Sequence, residues 1–307
     1  MKRISLWALG CKSFGLVILL LLLQSASLGQ TLSPEVQPPE GQPTPSPTPT
    51  PSLERQFFRN VLHDQVEIWT APFHMSRTDA RFVAPIGIAT AALIATDRRT
   101  AEELGENGGS ESRLRISRQV SRLGEASTTG GIAAAFYLTG VAKHDYRARE
   151  TGILSAEALI DAGIVSTVLK EATQRPRPLV PDPKDDFFDG GNSFPSGHAT
   201  NAWALATVVA NEYHDHKAVQ IAAYGLASAV SLSRYTGRNH FLSDVLVGSA
   251  LGYTVGHFVY KKHHQTETDL QNGFAKPEAR HARWRPFVSP IYSGQDHAYG
   301  VALVWSN

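Results

Sequence analysis

The chain reads as all-α, a helical bundle carrying a short C-terminal β-hairpin. Three observations predict this. Apolar residues recur at i, i+3 and i+4 spacing in successive segments across residues 53–261. Those segments are rich in Ala and Gly, which let helices approach one another closely. After residue 284 the period changes to the alternation of a strand.

Residues 1–29 have the pattern of a secretory signal. Lys2, Arg3 and Lys12 make a basic start, residues 14–23 are apolar, and Ser25-Ala26-Ser27-Leu28-Gly29 offers small residues for cleavage. An apolar stretch of 10 residues reaches only about 15 Å as a helix, against roughly 30 Å of bilayer hydrocarbon. Cleavage is therefore favoured over anchoring. Residues 30–53 form a Pro-rich disordered linker, in which Pro43, Pro45, Pro47, Pro49 and Pro51 alternate with Thr and Ser. The helical domain then occupies 54–265, and 266–307 form a C-terminal extension.

Within the domain, Phe57, Phe58, Val61, Leu62, Gln65 and Ile68 mark an amphipathic helix that runs to Trp69 and is ended by Pro72. Further helices are predicted over 81–95, with Pro85 near its start, and over 112–123, 128–141, 151–172, 199–214, 217–233 and 242–261. Their longest run without a charge is about 17 residues and the mean hydropathy of the chain is −0.19. A membrane span usually needs ~20 strongly apolar residues. The expectation is a soluble bundle outside the cytoplasm, in the periplasm or cell envelope, with peripheral membrane contact. A membrane-anchored or multi-span protein is the alternative. In the extension, 285–292 and 299–305 alternate around Ser293-Gly294-Gln295-Asp296, the signature of a hairpin.

The net charge of +1 supplies no basic field to gather nucleic acid. The single cysteine, Cys11, lies in the predicted signal, so the mature chain has neither a disulfide nor a thiol nucleophile.

The chemistry resides in three segments. His240 and Asp244 are four apart behind Arg234; on a helix they share a face, so the carboxylate orients the imidazole and leaves its other nitrogen as a nucleophile toward phosphorus. A lone pair of this kind is more often a helix-surface contact. The Arg234 guanidinium suits phosphate oxygens. Pro195-Ser196-Gly197-His198 stands at a helix start, where free N–H groups, the Ser196 hydroxyl and the open backbone at Gly197 suit an anion, and His198 is placed to protonate a leaving oxygen. Lys170 ends a helix, and Pro176 and Pro178 let Arg177 fold back beside it; the plainer alternative is a basic helix end with Arg175 and Arg177 both solvated.

The segments occur in this order with 16 and 34 residues between them. The pattern Lys170-x6-Arg177-Pro178, then Pro195-Ser196-Gly197-His198, then Ser233-Arg234-x5-His240-x3-Asp244 resembles the type 2 phosphatidic acid phosphatase superfamily, which includes bacterial acid phosphatases, lipid phosphatases and vanadium haloperoxidases. The resemblance covers about 151–261, the motif core. It implies the acid phosphatase/vanadium-dependent haloperoxidase type of bundle. It also implies that His240 is the nucleophile that becomes phosphohistidine, Asp244 its orienting partner and His198 the acid and then the base. Lys170, Arg177, Ser196, Gly197 and Arg234 become the phosphate cradle. The expected activity is metal-independent hydrolysis of a phosphomonoester or of a lipid phosphate or pyrophosphate, without a cofactor. Two other readings stand beside it: a vanadium-dependent haloperoxidase, with vanadate as cofactor in the same pocket, and a non-catalytic envelope binding protein.

Other motifs carry less. His214-Asp215-His216 and Lys261-Lys262-His263-His264 lie at helix ends without the spacing of a closed metal site, so no metal is assigned to them. The acidic run Asp182, Asp185, Asp186 and Asp189 lacks calcium-loop spacing, and the basic helix over 112–123 reads as a solvated face.

Overall fold

The computed structural model describes residues 53–106, 110–178, 186–264, 286–293 and 298–305. The predicted signal and nearly all of the linker lie outside the described residues, as do Asp182, Asp185 and the first part of the extension.

The domain contains eight α-helices among the described residues: α1 Leu53–Thr70, α2 Arg77–Glu106, α3 Glu111–Ser121, α4 Ala126–Lys143, α5 Tyr146–Thr173, α6 Gly197–Glu212, α7 Lys217–Thr236 and α8 Leu242–His263. Single 3₁₀ turns, Ala71–His74 and Arg122–Gly124, follow α1 and α3.

Two helices are longer than the apolar pattern predicts. α2 starts earlier because Ser76 and Asp79 cap it reciprocally: Asp79 N–H donates to Ser76 Oγ at 3.1 Å and Ser76 N–H to Asp79 Oδ2 at 2.9 Å. It continues beyond its apolar run because Arg98 pairs with Glu102 at 3.0 Å and Arg99 with Glu103 at 2.9 Å, both four apart. Pro85 consequently sits inside α2 and not near its start. α5 starts before residue 151 because the Asp145 side chain accepts from Ala148 N–H at 3.1 Å. In both cases the cap sets the boundary, ahead of the first apolar residue.

α6 is the centre of the bundle. Its Ala204 and Val208 pack with Leu154 and Ala158 of α5 and Val255 and Val259 of α8. On another side Leu205, Val209 and Tyr213 meet Phe136 of α4 and Val219 of α7. On a third, Ala202 and Ala206 meet Ala227 and Val230 of α7. The approach of α8 is closest because Gly248, Gly252 and Gly256 face α6. A Cβ on Gly248 would lie 2.5 Å from Ser196 O, and one on Gly252 would lie 2.2 Å from Thr200 O. The spacing of four keeps this stripe on one face of α8.

A buried polar seam joins α1, α5 and α8. Asp64, fully buried, accepts from Lys262 at 2.9 Å and pairs with His263 at 2.8 Å. Asn60 donates to Glu157 at 3.1 Å and Gln65 to Asp161 at 2.8 Å. Burial pushes both Glu157 and Asp161 up to about 7.

Two helical stretches, Asp79–Gly105 and Tyr146–Thr173, are long and apolar enough to cross a membrane by length and composition; more than half of the second is buried in the bundle. In the separate C-terminal unit, β1 Pro286–Ser293 pairs antiparallel with β2 Ala298–Trp305, Pro286 opposite Trp305 and Ser293 opposite Ala298.

Candidate active site

The three sequence motifs converge at one end of α5, α6, α7 and α8. α5 stops at Gln174, whose left-handed backbone (φ 46°) returns its N–H to Lys170 O at 2.9 Å. The chain from Phe188 to Ser193 then folds back onto the end of that helix. Phe188 N–H donates to Thr173 O, Gly191 N–H to Gln174 O and Ser193 N–H to Arg175 O, each at 2.8 Å. Only glycine fits at 191, where a Cβ would lie 2.1 Å from Arg175 O. This doubling back brings Lys170 and Arg177 to the Pro195-Ser196-Gly197-His198 turn. Lys170 Nζ donates to Asn192 O at 2.9 Å and also to Pro195 O, while Arg177 Nε donates to Asn192 Oδ1 at 3.0 Å. The Lys170 side chain passes Gly197, where a Cβ would be 3.8 Å from its Cε.

The turn is pinned to α8 by Ser196 N–H, which donates to Asp244 O at 2.9 Å. His240 and Asp244 do not share a helix, because α8 begins at Leu242 and His240 lies in the loop before it. That loop is fixed by Asn239 and His240 N–H, which donate to Arg234 O at 3.1 and 3.3 Å. Asp244 is in the first turn of α8 and accepts from Phe241 N–H at 3.0 Å through Oδ2.

The nearest partner of the imidazole is not the carboxylate. His240 Nδ1 donates to Ser193 O at 2.8 Å, whereas Asp244 Oδ2 is 3.5 Å away and accepts instead from Ser193 Oγ. The carbonyl acceptor requires the proton on Nδ1, which leaves the lone pair on Nε2. Asp244 acts at slightly longer range, as a charge beside the ring.

Arg175, solvated in the plainer alternative reading of the sequence, is fully buried. Its Nη1 donates to Asp244 Oδ1 and to Ser243 Oγ, both at 2.7 Å, and its Nη2 to Asp97 Oδ2 of α2 at 3.0 Å. The guanidinium carbon lies 4.2 Å from the Phe241 ring centre and 4.9 Å from that of Phe187. The helix stop that precedes Arg175 turns it inward. A three-helix brace of this kind has no sequence signature, since Asp97 is 78 positions away.

Arg234 is almost buried in the last turn of α7, and its Nη1 donates to Ser121 Oγ at the end of α3. The helix read as a solvated basic face thus buries Ser117 and Ser121, and Ser117 Oγ meets Thr236 Oγ1 at 2.8 Å. Among the described residues, the buried Ser196 Oγ and Arg234 Nε have no hydrogen-bond partner. Both are donors available to an anion.

The electrostatics match a site built for negative charge. Burial, then the neighbouring charges of Arg234, His240, Arg177 and Lys170, hold His198 down at about 4. Burial holds His240 at about 4 against the pull of Asp244. Lys170 falls to about 8, through burial and Arg177. Burial opposes ionisation of Asp244, but His240 and Arg175 keep its carboxyl below the usual range. The free site therefore carries neutral histidines and an ionised carboxylate among three cations. The residues missed in the sequence are Arg175, Asp97, Ser193 and Ser121, which orient the predicted set.

Comparison with known proteins places this geometry in context. Residues 151–267 match the family model described as the PAP2 superfamily. A lipid A 1-phosphatase of Porphyromonas gingivalis is 41% identical over 70 residues, 22% of this chain and 16% of that protein. Phosphatidylglycerophosphatase B of Bacillus subtilis is 33% identical over 124 residues, 38% of this chain and 59% of that protein. The chain thus spans less than two thirds of the length of these relatives. The crystal structure of a transmembrane PAP2 type phosphatidylglycerolphosphate phosphatase from Bacillus subtilis aligns with a TM-score of 0.45 at 23% identity, covering 67% of this chain and 94% of that one.

Proposed function

We propose that the chain, whose residues 151–267 match the PAP2 superfamily model, is a lipid phosphate phosphatase of that superfamily working through a phosphohistidine at His240. The observation that carries this reading is the 2.8 Å bond from His240 Nδ1 to Ser193 O, which commits the lone pair to Nε2. In the first step Nε2 attacks phosphorus, the P–O bond to the leaving group breaks, and His198 gives that oxygen a proton. Bound phosphate dianion offsets the cations that hold His198 low, so the imidazolium forms when substrate arrives. In the second step water attacks the phosphohistidine, His198 takes its proton, and the P–N bond breaks to release phosphate. Lys170, Arg177, Arg234, the Ser196 hydroxyl and the helix start at Gly197 hold the equatorial oxygens as charge develops. These fixed charges let the chemistry proceed without a metal ion.

Two features support a lipid as the leaving group. On α1, Phe58, Leu62 and Val66 are 79%, 71% and 62% exposed at a spacing of four, an outward apolar stripe suited to acyl chains and unlike the surface of a soluble helix. Beside it lies a groove of about 520 Å³ lined by Phe57, Phe58, Ile153 and Leu159, and also by Ala126 and Asn201. Asn201 is one helical turn from His198 on α6, so the groove adjoins the reaction centre without containing it. Both relatives are named for lipid phosphates. In this reading the exported chain lies against a cell-envelope membrane through the stripe.

The test uses ³²P-labelled phosphatidic acid in mixed micelles and a chromogenic phosphomonoester. Acid-labile, base-stable label should be trapped on the wild-type chain and be missing from His240→Ala. Phosphate release by a folded His240→Ala protein overturns the mechanism. A higher kcat/KM for the soluble ester than for the lipid overturns the leaving-group assignment while leaving the chemistry standing.

A further inference from the structure

At the opposite end of the catalytic helices, three side chains meet that have no part in this reaction. Glu150 is in the first turns of α5, Glu212 is the last residue of α6, and His264 caps α8. Glu150 and Lys170 share α5 and are roughly 30 Å apart at 1.5 Å per residue. His264 Nδ1 is 3.4 Å from Glu150 Oε2 and 3.4 Å from Glu212 Oε1. The three potential ligand atoms all lie within 4.8 Å of one another.

The geometry points to a divalent-cation site of the zinc class at Glu150, Glu212 and His264, tying together the far ends of α5, α6 and α8. Four arguments carry it. A tetrahedral ion with bonds of about 2.1 Å separates its ligand atoms by about 3.4 Å, the spacing found on both edges that meet at His264. The Glu212 side chain is 2% exposed, and its Oε1 and His264 Nδ1 face each other at 3.4 Å, an ion-pair distance, without a hydrogen bond of good geometry to each other or to another group among the described residues. Buried polar atoms ordinarily have hydrogen-bond partners, and a pair without good hydrogen bonds is the kind of gap that a bound water or ion fills. Within the triad a protonated imidazole would cancel one of the two carboxylate charges, whereas a divalent ion beside a neutral imidazole cancels both. Finally, the imidazole is already oriented: it stacks on Tyr260 with ring centres 4.6 Å apart. Of the neighbouring cations, Arg147 bonds Glu212 O at 2.9 Å and Asp215 at 3.1 Å, and His263 pairs with Asp64 at 2.8 Å.

The sequence does not reveal this site, because its ligands come from three helices and His264 stands in a run that reads as a polar helix end. The ion would be structural, holding the helices whose other ends carry Lys170, His198 and Asp244.

The full chain, stripped with chelator and dialysed, should take up one equivalent of Zn²⁺ by calorimetry, and its melting temperature should rise with zinc concentration. Glu212→Gln, which preserves shape, and His264→Ala, at a partly exposed helix end, should each weaken zinc binding by more than about tenfold and abolish the melting shift. His216→Ala, on an exposed histidine elsewhere, should leave both unchanged. Co²⁺ in place of Zn²⁺ should give the intense visible absorption of a tetrahedral site. The proposal is overturned if the wild-type chain takes up no zinc, or if Glu212→Gln and His264→Ala bind it as tightly as wild type does. Phosphohistidine trapping is read separately, so failure here leaves the catalytic reading untouched.

Discussion

Arg175 Nη1 donates to Asp244 Oδ1 across 2.7 Å in complete burial, and the opposite side of the same guanidinium holds Asp97 at 3.0 Å. One cation therefore balances two carboxylates from α2 and α8, and through Asp244 it fixes the charge beside the proposed nucleophile. Truncating one member of a buried ionic network typically costs about 3–5 kcal/mol, because the partners stay behind uncompensated. Arg175→Met should lower stability by about that amount, read as the urea midpoint, and reduce turnover in the fraction that remains folded. A surface arginine such as Arg99, 83% exposed in its side chain, should tolerate the same change within about 0.5 kcal/mol.

Ser193 offers a sharper test, because its main chain and side chain do different work. The carbonyl fixes the His240 tautomer, and the hydroxyl donates to Asp244 while lying 3.3 Å from His240 Nδ1. Ser193→Ala keeps the carbonyl and should lower kcat by less than about tenfold, the cost of one modest hydrogen bond. Asp244→Asn keeps the tautomer but removes the charge that stabilises an imidazolium-like ring, and it leaves Arg175 short of a counterion. Its loss in kcat should exceed that of Ser193→Ala. Equal losses would mean that the Asp244 charge contributes no more than the Ser193 hydroxyl does.

His198 is separated from His240 by leaving-group dependence. His198→Ala should lower kcat on a lipid alkyl phosphate by about 10²–10⁴-fold, the usual scale for a general acid. The loss of phosphoenzyme formation should be much smaller with a nitrophenyl ester, whose oxygen departs without a proton. A loss of the same size for both substrates would remove His198 from the role of acid.

The contrast between these residues explains what was legible in the sequence. The side chains proposed to carry the chemistry sit in short local motifs, and each motif occupies a helix end where the backbone dictates its placement. The helices were legible from apolar period, with boundaries missed wherever caps and ion pairs extended them, as at Ser76 and Asp145. Arg175 was missed because its neighbours in sequence are polar, while its partners Asp97 and Asp244 are distant. His240 and Asp244 do lie together, 3.5 Å apart, but for a different geometric reason: a loop residue meets a first-turn residue, with Ser193 interposed. Long-range polar contacts lack the periodicity that makes a helix visible.

The glycine stripe of α8 sets the distance between the two histidine-bearing segments. Gly248→Ala places a methyl 2.5 Å from Ser196 O, so α8 or the phosphate turn must shift. Overpacking of this kind costs about 1–3 kcal/mol, and here it should also lower kcat/KM. Gly225→Ala, in α7 with nothing within 4 Å of the added carbon, should instead stabilise the chain by about 0.5–1 kcal/mol without affecting turnover. Stability follows from thermal or urea melts, and kcat/KM from initial rates on the same preparations. Unchanged activity in Gly248→Ala would mean that the α6–α8 spacing is not what positions the site.

The buried histidines also set a pH dependence whose sign can be worked out. Burial holds His240 at about 4 in the folded chain, against the ordinary imidazole value of 6.5 when unfolded. Between those values the unfolded chain binds a proton that the folded chain refuses, so this histidine's contribution to stability is full above pH 6.5 and is lost as pH falls toward 4. The lost contribution is about 3 kcal/mol for a shift of this size. His198 acts in the same direction. Glu157 and Asp161 oppose them: both are raised to about 7, so the folded chain binds their protons first and gains stability as pH falls through the same window. The wild-type profile is therefore a difference of opposing slopes, and only a comparison isolates the histidine. The stability gap between wild type and His240→Gln, followed by urea denaturation at pH 7, 6, 5 and 4, should shift against the wild type as pH falls. A gap independent of pH would mean that His240 is not held neutral in the folded chain.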